Sequence, residues 1–464
     1  MFKRKRIALA LLALSFGPGA AMAADTNDLQ QIRKEIDQLK QSYEIRIQEL
    51  EGRLKQAEDA AKTAQSSATE ANEKADRTVA AVAATNTAPP ANTNAFNPDV
   101  SLVLSGLYSN LSKDPAGYRI GNFIPGGDIG PGKRGFSLAE SELGVSANVD
   151  PWFYGALNFS IHPDDTVSAE EAFIQTTTLP HGMKIKAGRF FSGIGYLNEQ
   201  HSHTWDFVDA PLAYQAFLGT QFSQDGVQFR WLAPTDTFLE FGSELGSGEN
   251  FPGADRDKNG AGAAALFAHV GDDVGVSNSW SGGLSWLRTT PQDRQYADTS
   301  ITGAAVTNAF SGDSHLWLAD FVWKWAPNGN GERTNFKLQG EYFHRQEKGT
   351  LSYDVDATGM LGNYSSTQTG WYLQGVYQFM PTWRVGARFD QLDQGHVDYG
   401  NNSIFLAQTD FDPSKTSVMF DWTPSEFSRV RLQLARDKSR DGVADRQLFL
   451  QYQMSLGAHG AHIF

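Results

Sequence analysis

The sequence contains no cysteine among its 464 residues, so no disulfide holds the fold and no thiolate can act as a nucleophile or metal ligand. It also lacks the G-x-S-x-G, H-E-x-x-H and phosphate-loop patterns that mark common catalytic sites. We therefore do not expect an enzyme. Cations are the minority charge, with 39 Lys and Arg against 53 Asp and Glu, which argues against a nucleic-acid partner.

Long apolar runs are also missing. The run from Ile7 to Phe16 has ten residues, whereas a membrane-spanning helix needs about 20. It follows four consecutive cations at positions 3–6 and precedes Ala21-Met22-Ala23, a small-residue cleavage pattern. These features predict a signal peptide over residues 1–23 rather than a membrane anchor.

Residues 24–85 have a helical pattern. Apolar residues or alanines recur at steps of three and four from Leu29 to Ala75, with one 4-4 step near Tyr43. This heptad spacing predicts a coiled coil, and about 60 helical residues would extend roughly 90 Å. A solitary amphipathic helix is the alternative. Residues 86–98 are rich in small polar residues and proline and predict a flexible linker.

From residue 99 onward the pattern changes to strict alternation. In the last segment one face is apolar and the other polar: Leu448, Leu450, Tyr452, Met454 and Leu456 against Gln451, Gln453 and Ser455. A strand with one lipid face and one watery face has this pattern. The mean hydropathy of −0.40 is compatible with a membrane barrel, because half of each strand faces water.

Sixteen alternating segments predict an all-β membrane barrel of about 16 antiparallel strands over residues 99–464, preceded by the α-helical coiled coil. The predicted strands are 100–111, 135–149, 152–162, 167–179, 183–191, 224–233, 236–246, 261–271, 275–288, 313–326, 332–346, 365–379, 383–392, 415–423, 427–437 and 445–457. A soluble β-solenoid or sandwich is the alternative architecture.

The connections between these segments alternate in length. Seven are tight, including one predicted at Asp272-Asp273, and four on the other side are long: 112–134, 192–223, 289–312 and 393–414. Short turns at one rim and longer loops at the other are typical of outer-membrane barrels. The even strand count places both ends of the barrel at the short-turn rim, which predicts a periplasmic position for the coiled coil.

The charged residues on the inward faces differ along the chain. We expect a pore lined by Glu140, Glu142, Glu171, Glu240 and Glu244 in the early strands and by Lys337, Arg384, Arg388 and Arg431 in the later strands. Opposed acidic and basic walls would create a field across a water channel and favour polar solutes. Alternatively, these charges simply neutralise one another.

The 192–223 loop contains many aromatic and apolar residues for a connection in water, so we expect it to fold into the barrel and narrow the pore. It also contains His201, His203 and Asp206. Imidazoles and carboxylates are zinc ligands, and His-x-His spacing in an extended segment places both rings on one side. A metal site is therefore one interpretation; two ordinarily hydrogen-bonded histidines are the other.

Four segments carry a family resemblance: Gly135–Leu143, Ala187–Tyr196, Trp371–Met380 and Ser455–Phe464. They resemble a family of proteobacterial outer-membrane proteins labelled zinc-regulated or TonB-dependent outer-membrane receptors. The overall plan resembles phosphate-selective-type porins, some of which carry an N-terminal coiled coil. The terminal Phe464 resembles the assembly signal of outer-membrane barrels, which implies the barrel assembly machinery as a partner. The family label implies regulation by zinc status.

Together these observations predict a porin-like channel in the bacterial outer membrane for passive uptake of small hydrophilic solutes, with zinc or other divalent cations among the candidates. We expect contact with outer-membrane lipid, a homotrimer formed through the coiled coil and barrel, and no cofactor apart from zinc as a bound or transported ion. Two alternatives remain: a TonB-dependent-type zinc receptor, and a barrel that anchors a structural envelope tether.

Overall fold

The computed structural model describes Lys55 and residues 98–254 and 259–457. The predicted signal peptide, coiled coil and nearly all of the linker lie outside the described residues, as does Phe464, and these assignments stay predictions. In the part of the chain that is described, no helix is long and apolar enough to cross a membrane.

Sixteen strands follow one another along the chain, and two of them, β2 and β9, are interrupted by a few residues. Their bounds are β1 (Asp99–Leu111), β2 (Gly135–Leu138 and Ser141–Asn148), β3 (Phe153–Ile161), β4 (Val167–Thr176), β5 (Met183–Phe191), β6 (Ser223–Leu232), β7 (Phe238–Gly246), β8 (Ala263–Val274), β9 (Asn278–Thr289 and Arg294–Thr299), β10 (Ala305–Trp325), β11 (Asn335–Tyr353), β12 (Met360–Met380), β13 (Trp383–Asp398), β14 (Ser414–Ser425), β15 (Ser428–Lys438) and β16 (Asp445–Gly457). One helix, α1 (Leu212–Leu218), lies between β5 and β6.

Each strand pairs in antiparallel fashion with the strands before and after it. The sheet closes because β1 also pairs with β16, with Ser101 opposite Gly457 and Leu111 opposite Gln447. A closed sheet has no unpaired edge. The sixteen-stranded antiparallel barrel is therefore confirmed, and the solenoid and sandwich are excluded. The TonB-dependent receptor is not supported either, since that class has a 22-stranded barrel with a plugged lumen.

The exterior of the barrel is apolar. Along β16, Tyr452 is 48% exposed while its neighbour Gln453 is only 8% exposed, and on β12 Leu373 is 48% exposed. Apolar side chains that alternate outward with polar ones inward match the lipid face and lumen face of a membrane barrel. The alternation predicted from the sequence is thus present, with its apolar side on the outside.

The tight turns lie at the rim where the described part of the barrel begins and ends. His181, Asn328 and Thr382 have φ of 58°, 54° and 71° in these turns, a left-handed conformation that short reversals require. The predicted turn at Asp272-Asp273 is wrong by a few residues, because β8 continues to Val274. The reversal uses Gly275, whose φ of 63° suits a residue without Cβ.

The later strands are longer than the sequence indicated. Residues 289–312, predicted as a loop, contain the second part of β9 and the beginning of β10, and β13 runs on to Asp398. β10 and β12 have 21 residues each, whereas a membrane strand needs about 9–11. The excess extends beyond the lipid at the long-loop rim. There the outward side chains need not be apolar, so the regular apolar alternation that marks a lipid-facing strand is weaker.

Candidate functional site

The connection between β5 and β6, residues 192–222, is called the inner loop here. Its two ends meet: the Ser192 amide donates to the Phe222 carbonyl over 3.0 Å. The Asn198 side chain joins them again, since its amide donates to the carbonyls of Ser192 (2.8 Å) and Phe222 (2.9 Å) and its oxygen accepts from the Phe222 amide (2.8 Å). A loop closed at its base in this way is a compact unit with little freedom to unfold.

The inner loop lies inside the barrel. It makes side-chain or backbone hydrogen bonds or ion pairs to residues on strands all around the wall: Glu142 (β2), Glu171 (β4), Glu244 (β7), Ser285 (β9), Glu341 (β11), Asp390 (β13), Lys415 (β14) and Gln433 (β15). One loop can reach both early and late strands of a closed barrel only by crossing its interior. The inward fold expected from the sequence is therefore present.

One end of the crossing faces an acidic wall. His201 Nδ1 lies 3.0 Å from Glu142 Oε2 and 3.5 Å from Glu170 Oε2, and His201 Nε2 lies 3.1 Å from Glu171 Oε2. Glu170 and Glu171 both reach the lumen because a β-bulge opposite Asn158 and Phe159 makes Glu170 an extra residue in β4. His203 Nδ1 also lies 3.0 Å from Glu142 Oε2.

Burial by itself would lower the pKa of His201, but the neighbouring carboxylates of Glu142, Glu170 and Glu171 outweigh it and raise the pKa well above its ordinary value. The charged imidazolium thus stabilises the attachment of the loop at pH values below about 6.5, the ordinary pKa. That contribution is lost only as the pH rises through the higher pKa of the folded state.

Two further glutamates anchor the loop through hydrogen bonds. Glu244 accepts from the Ser192 hydroxyl (2.6 Å) and the Gly193 amide (2.8 Å). Glu341 accepts from the Tyr196 and Leu197 amides at 3.1 Å each, and from two tyrosine hydroxyls of the loop and of β12. Hydrogen bonds to a carboxylate contribute about 1.5–3 kcal/mol each when it is ionised, so these two residues hold the first part of the loop against the wall.

The other end of the crossing faces a basic wall. Asp206 lies 2.5 Å from Lys337 Nζ and 3.1 Å from Arg384 Nη1. Asp209 lies 2.5 Å from Lys415 Nζ and 3.1 Å from Arg388 Nη2. The loop therefore presents histidines to the carboxylates of the early strands and carboxylates to the cations of the later strands.

These aspartates stay charged in acid. Burial alone would raise the pKa of Asp206, but the charges of Lys337 and Arg384 hold it below its ordinary value. The pKa of Asp209 is likewise lowered, by Lys415 and Arg388 against the effect of burial. Both ion pairs are thus complete above pH about 4, the ordinary aspartate pKa, and they are lost only when the pH falls through the lower pKa values of the folded state.

The middle of the loop packs through apolar contacts. α1 is buried along its whole length, and its Tyr214 and Phe217 rings lie 5.1 and 5.8 Å from Phe343 on β11. The surrounding cluster takes residues from β8 to β13. The part of the lumen beside α1 is therefore filled by apolar side chains, although the same strands also carry buried polar residues such as Glu341 and Arg388.

A second connection covers α1 from the long-loop side. In the 112–134 loop, Phe123 meets Phe217 edge to face at 5.6 Å, and the Gly130 amide donates to Gln215 Oε1 over 3.0 Å. Gln368 on β12 donates to the Asn122 carbonyl over 2.8 Å. The inner loop is thus held from above as well as from the wall.

The structure places all the predicted pore-lining residues on the inner side of the wall. Glu142, Glu171, Glu244, Lys337, Arg384, Arg388 and Arg431 contact the inner loop, whereas Glu140 accepts from Ser160 and Glu240 pairs with Arg230. Arg431 is only 1% exposed. Many of these charges are therefore neutralised by partners, and their role as a pore lining stays a prediction.

The predicted ligand set His201, His203 and Asp206 does not converge as a unit. His201 and His203 meet at Glu142, but the Asp206 carboxylate is engaged by Lys337, Arg384 and Gln374 on the basic wall. The loop crosses the lumen between His203 and Asp206, so residues that are close in the sequence face opposite walls and do not form one ligand set. Glu170 was not predicted, because a strict alternation assigns it to the lipid face and the bulge reverses that assignment.

No family model matches the chain. Among solved structures, it is similar to OmpT of Vibrio cholerae in a trimer form (12% identity, TM-score 0.47, 78% of this chain and 99% of that one). It is also similar to an anion-selective porin from Comamonas acidovorans (12%, 0.47, 78% and 99%) and to the outer-membrane channel DcaP of Acinetobacter baumannii (10%, 0.45, 78% and 97%). The assignment of the fold rests on the strand pairing described above.

A sequence relative lies nearer. An uncharacterized protein of Aquifex aeolicus is 31% identical over 416 residues, which covers 81% of this chain and 81% of that protein. Identity at this level over most of both chains reflects common descent. The chain therefore belongs to the same protein family as this uncharacterized protein of Aquifex aeolicus.

Proposed function

We propose that the protein is a non-enzymatic, porin-like channel of the bacterial outer membrane that admits small hydrophilic solutes passively. The observation that supports this most strongly is the inner loop, which crosses a closed, lipid-facing barrel and is paired with charges on both walls. A sixteen-stranded barrel leaves an aqueous lumen. The inner loop occupies part of this lumen and narrows the path for solutes.

Water reaches part of the interior from the short-turn rim. The side chains of Lys337 and Arg384 are 22% and 24% exposed although they point inward and pair with Asp206. Arg230 and Glu240, paired at 3.2 Å, are also partly exposed. Charged groups of both signs are thus partly accessible to water inside the barrel, which favours solutes with a charge or a large dipole over apolar ones.

The homotrimer, the periplasmic coiled coil and the contact with the barrel assembly machinery belong to this proposal as well. They rest on the heptad pattern of residues 24–85 and on the resemblance of the terminal segment to an assembly signal. Apolar side chains such as Leu373 and Tyr452 provide the surface that outer-membrane lipid or a second barrel would cover.

Deletion of residues 196–215, bridged by a short Gly-Ser linker, should raise the single-channel conductance several-fold in planar bilayers. The ends of the inner loop already meet at Ser192 and Phe222, so a shortened loop can close without disturbing β5 or β6. Removal of the crossing segment leaves a sixteen-stranded barrel with a wider lumen.

The matched control replaces Ile301, Thr302 and Gly303, an exposed turn at the long-loop rim, by Gly-Ser residues and should leave the conductance unchanged. If the deletion variant conducted and the wild-type protein did not, the loop would be a gate that closes the channel. Absence of current from both proteins would contradict the channel and favour the structural tether.

A further inference from the structure

The cluster where the inner loop meets the acidic wall has the composition of a metal site. It contains Glu142, His201 and His203, whose ligand atoms all lie within 4.8 Å of one another, with Glu170 beside them. Two imidazoles and a carboxylate are a ligand set that zinc uses in proteins. Calcium and magnesium prefer oxygen alone, so the two nitrogens favour a transition-metal ion.

The distances fit a small ion. Zinc bonds to nitrogen and oxygen of about 2.0–2.1 Å imply ligand atoms roughly 3.3 Å apart in a tetrahedron. Glu142 Oε2 lies 3.0 Å from the Nδ1 atoms of both His201 and His203, so a small outward shift of side chains would admit the ion. Glu170 Oε2 lies 3.5 Å from His201 Nδ1 but outside the group of ligand atoms that are all within 4.8 Å of one another, so its side chain has to move toward the ion to provide a fourth ligand.

A second observation points the same way. His201 Nδ1 is shielded from solvent and has no hydrogen-bond partner of acceptable geometry, although it is aimed into the cluster. The opposite ring atom, Nε2, lies 3.1 Å from Glu171 Oε2. A zinc ion at Nδ1 would displace the proton of that atom, while Nε2–H remains a donor to Glu171. A carboxylate in this position orients histidine ligands in known zinc sites.

We propose that Glu142, His201 and His203, with Glu170 as a fourth ligand and Glu171 as the carboxylate that orients His201, bind one zinc ion inside the barrel. The ion joins the inner loop to β2 and β4. The site does not depend on conduction, because it requires only that the loop be docked. Metal binding and channel activity can therefore fail separately.

The test uses the full chain refolded in detergent and freed of metal by a chelator. Zinc titrated into it should bind at one ion per chain with a dissociation constant of about 1 μM or below. Cobalt, which is coloured when tetrahedrally bound, should give visible absorption without a sulfur band, since the chain has no cysteine. The wild-type protein alone thus provides a readout of ligand type.

The variants His201→Ala and Glu142→Gln should each weaken zinc binding at least ~100-fold, and Glu171→Gln about 10-fold, as expected for a ligand-orienting carboxylate. His396→Ala, at an exposed position in the extension of β13, is the matched control and should bind like the wild type. Heat-modifiable migration on gels checks that every variant is folded.

Three results would overturn the proposal. They are no stoichiometric zinc or cobalt binding by the wild type at 100 μM metal, a cobalt spectrum without tetrahedral bands, and zinc affinities of His201→Ala and Glu142→Gln equal to that of the wild type. In each case the cluster would be a protonated histidine held among carboxylates, and the channel could still conduct in the presence of chelator.

Discussion

Replacement of both Asp206 and Asp209 by asparagine should release the inner loop from the basic wall and increase the single-channel conductance several-fold. Lys415 and Arg388 are each about 2% exposed and would lose a buried counter-ion. Arg388 and Lys415 keep Asp390 and Asp437 as second counter-ions. The cost therefore stays below about 3–5 kcal/mol, the cost of a buried charge left unpaired, and it lowers the stability of the docked loop. Bilayer conductance and hydrogen exchange of residues 192–222 measure the release.

The matched control is Asp225→Asn. Asp225 pairs with Arg189 at 2.6 Å, but both side chains are substantially exposed, and such pairs contribute only about 0–1 kcal/mol. Its conductance and loop exchange should stay at wild-type values. If the Asp206/Asp209 variant behaved like this control, the basic wall would not hold the loop.

Arginine at Leu373 should destabilise the barrel by about 2–4 kcal/mol, whereas arginine at Leu361 should have little effect. Both leucines point outward from β12, with 48% and 63% exposure, and twelve residues separate them on the same face. Leu373 lies in the part of the strand that we place in lipid, where a buried cation carries that cost. Leu361 lies in the extension, where arginine remains hydrated.

Urea unfolding in lipid vesicles, followed by tryptophan fluorescence, measures this difference. Leu361→Arg serves as the control, because both variants replace an outward-facing leucine of β12 by arginine and differ only in the position along the strand. Equal destabilisation by the two substitutions would mean that the apolar exterior at Leu373 is not in contact with lipid.

The barrel could be predicted from the sequence because the environment of each strand face determines which residue types occur on it. Outward residues such as Leu450 and Tyr452 have to be apolar, whereas the inward residues between them can be polar. An alternation of apolar and polar side chains therefore indicates both the strand and its lipid face. The signal disappears where a strand leaves the lipid. The second part of β9, Arg294–Thr299, has polar side chains on both faces and therefore resembles a loop.

The inner loop shows a different limit. Its aromatic content indicated that it folds inward, and the structure brings His201 and His203 together at Glu142. The partners on the wall could not be predicted, since Glu142 and His203 are 61 residues apart and only the closed barrel brings them together. The Glu170 bulge is a local irregularity of pairing, and no periodic pattern contains it.

Cysteine scanning across β11 tests the central claim most directly, because the natural chain has no cysteine. Lys337 points into the lumen beside Asp206, and Tyr342 on the same strand points outward with 47% exposure. A charged, membrane-impermeant thiol reagent added during bilayer recording should reduce the current through Lys337→Cys and leave Tyr342→Cys unchanged. No response at Lys337→Cys, or block at Tyr342→Cys alone, would contradict a water path through the barrel past the inner loop.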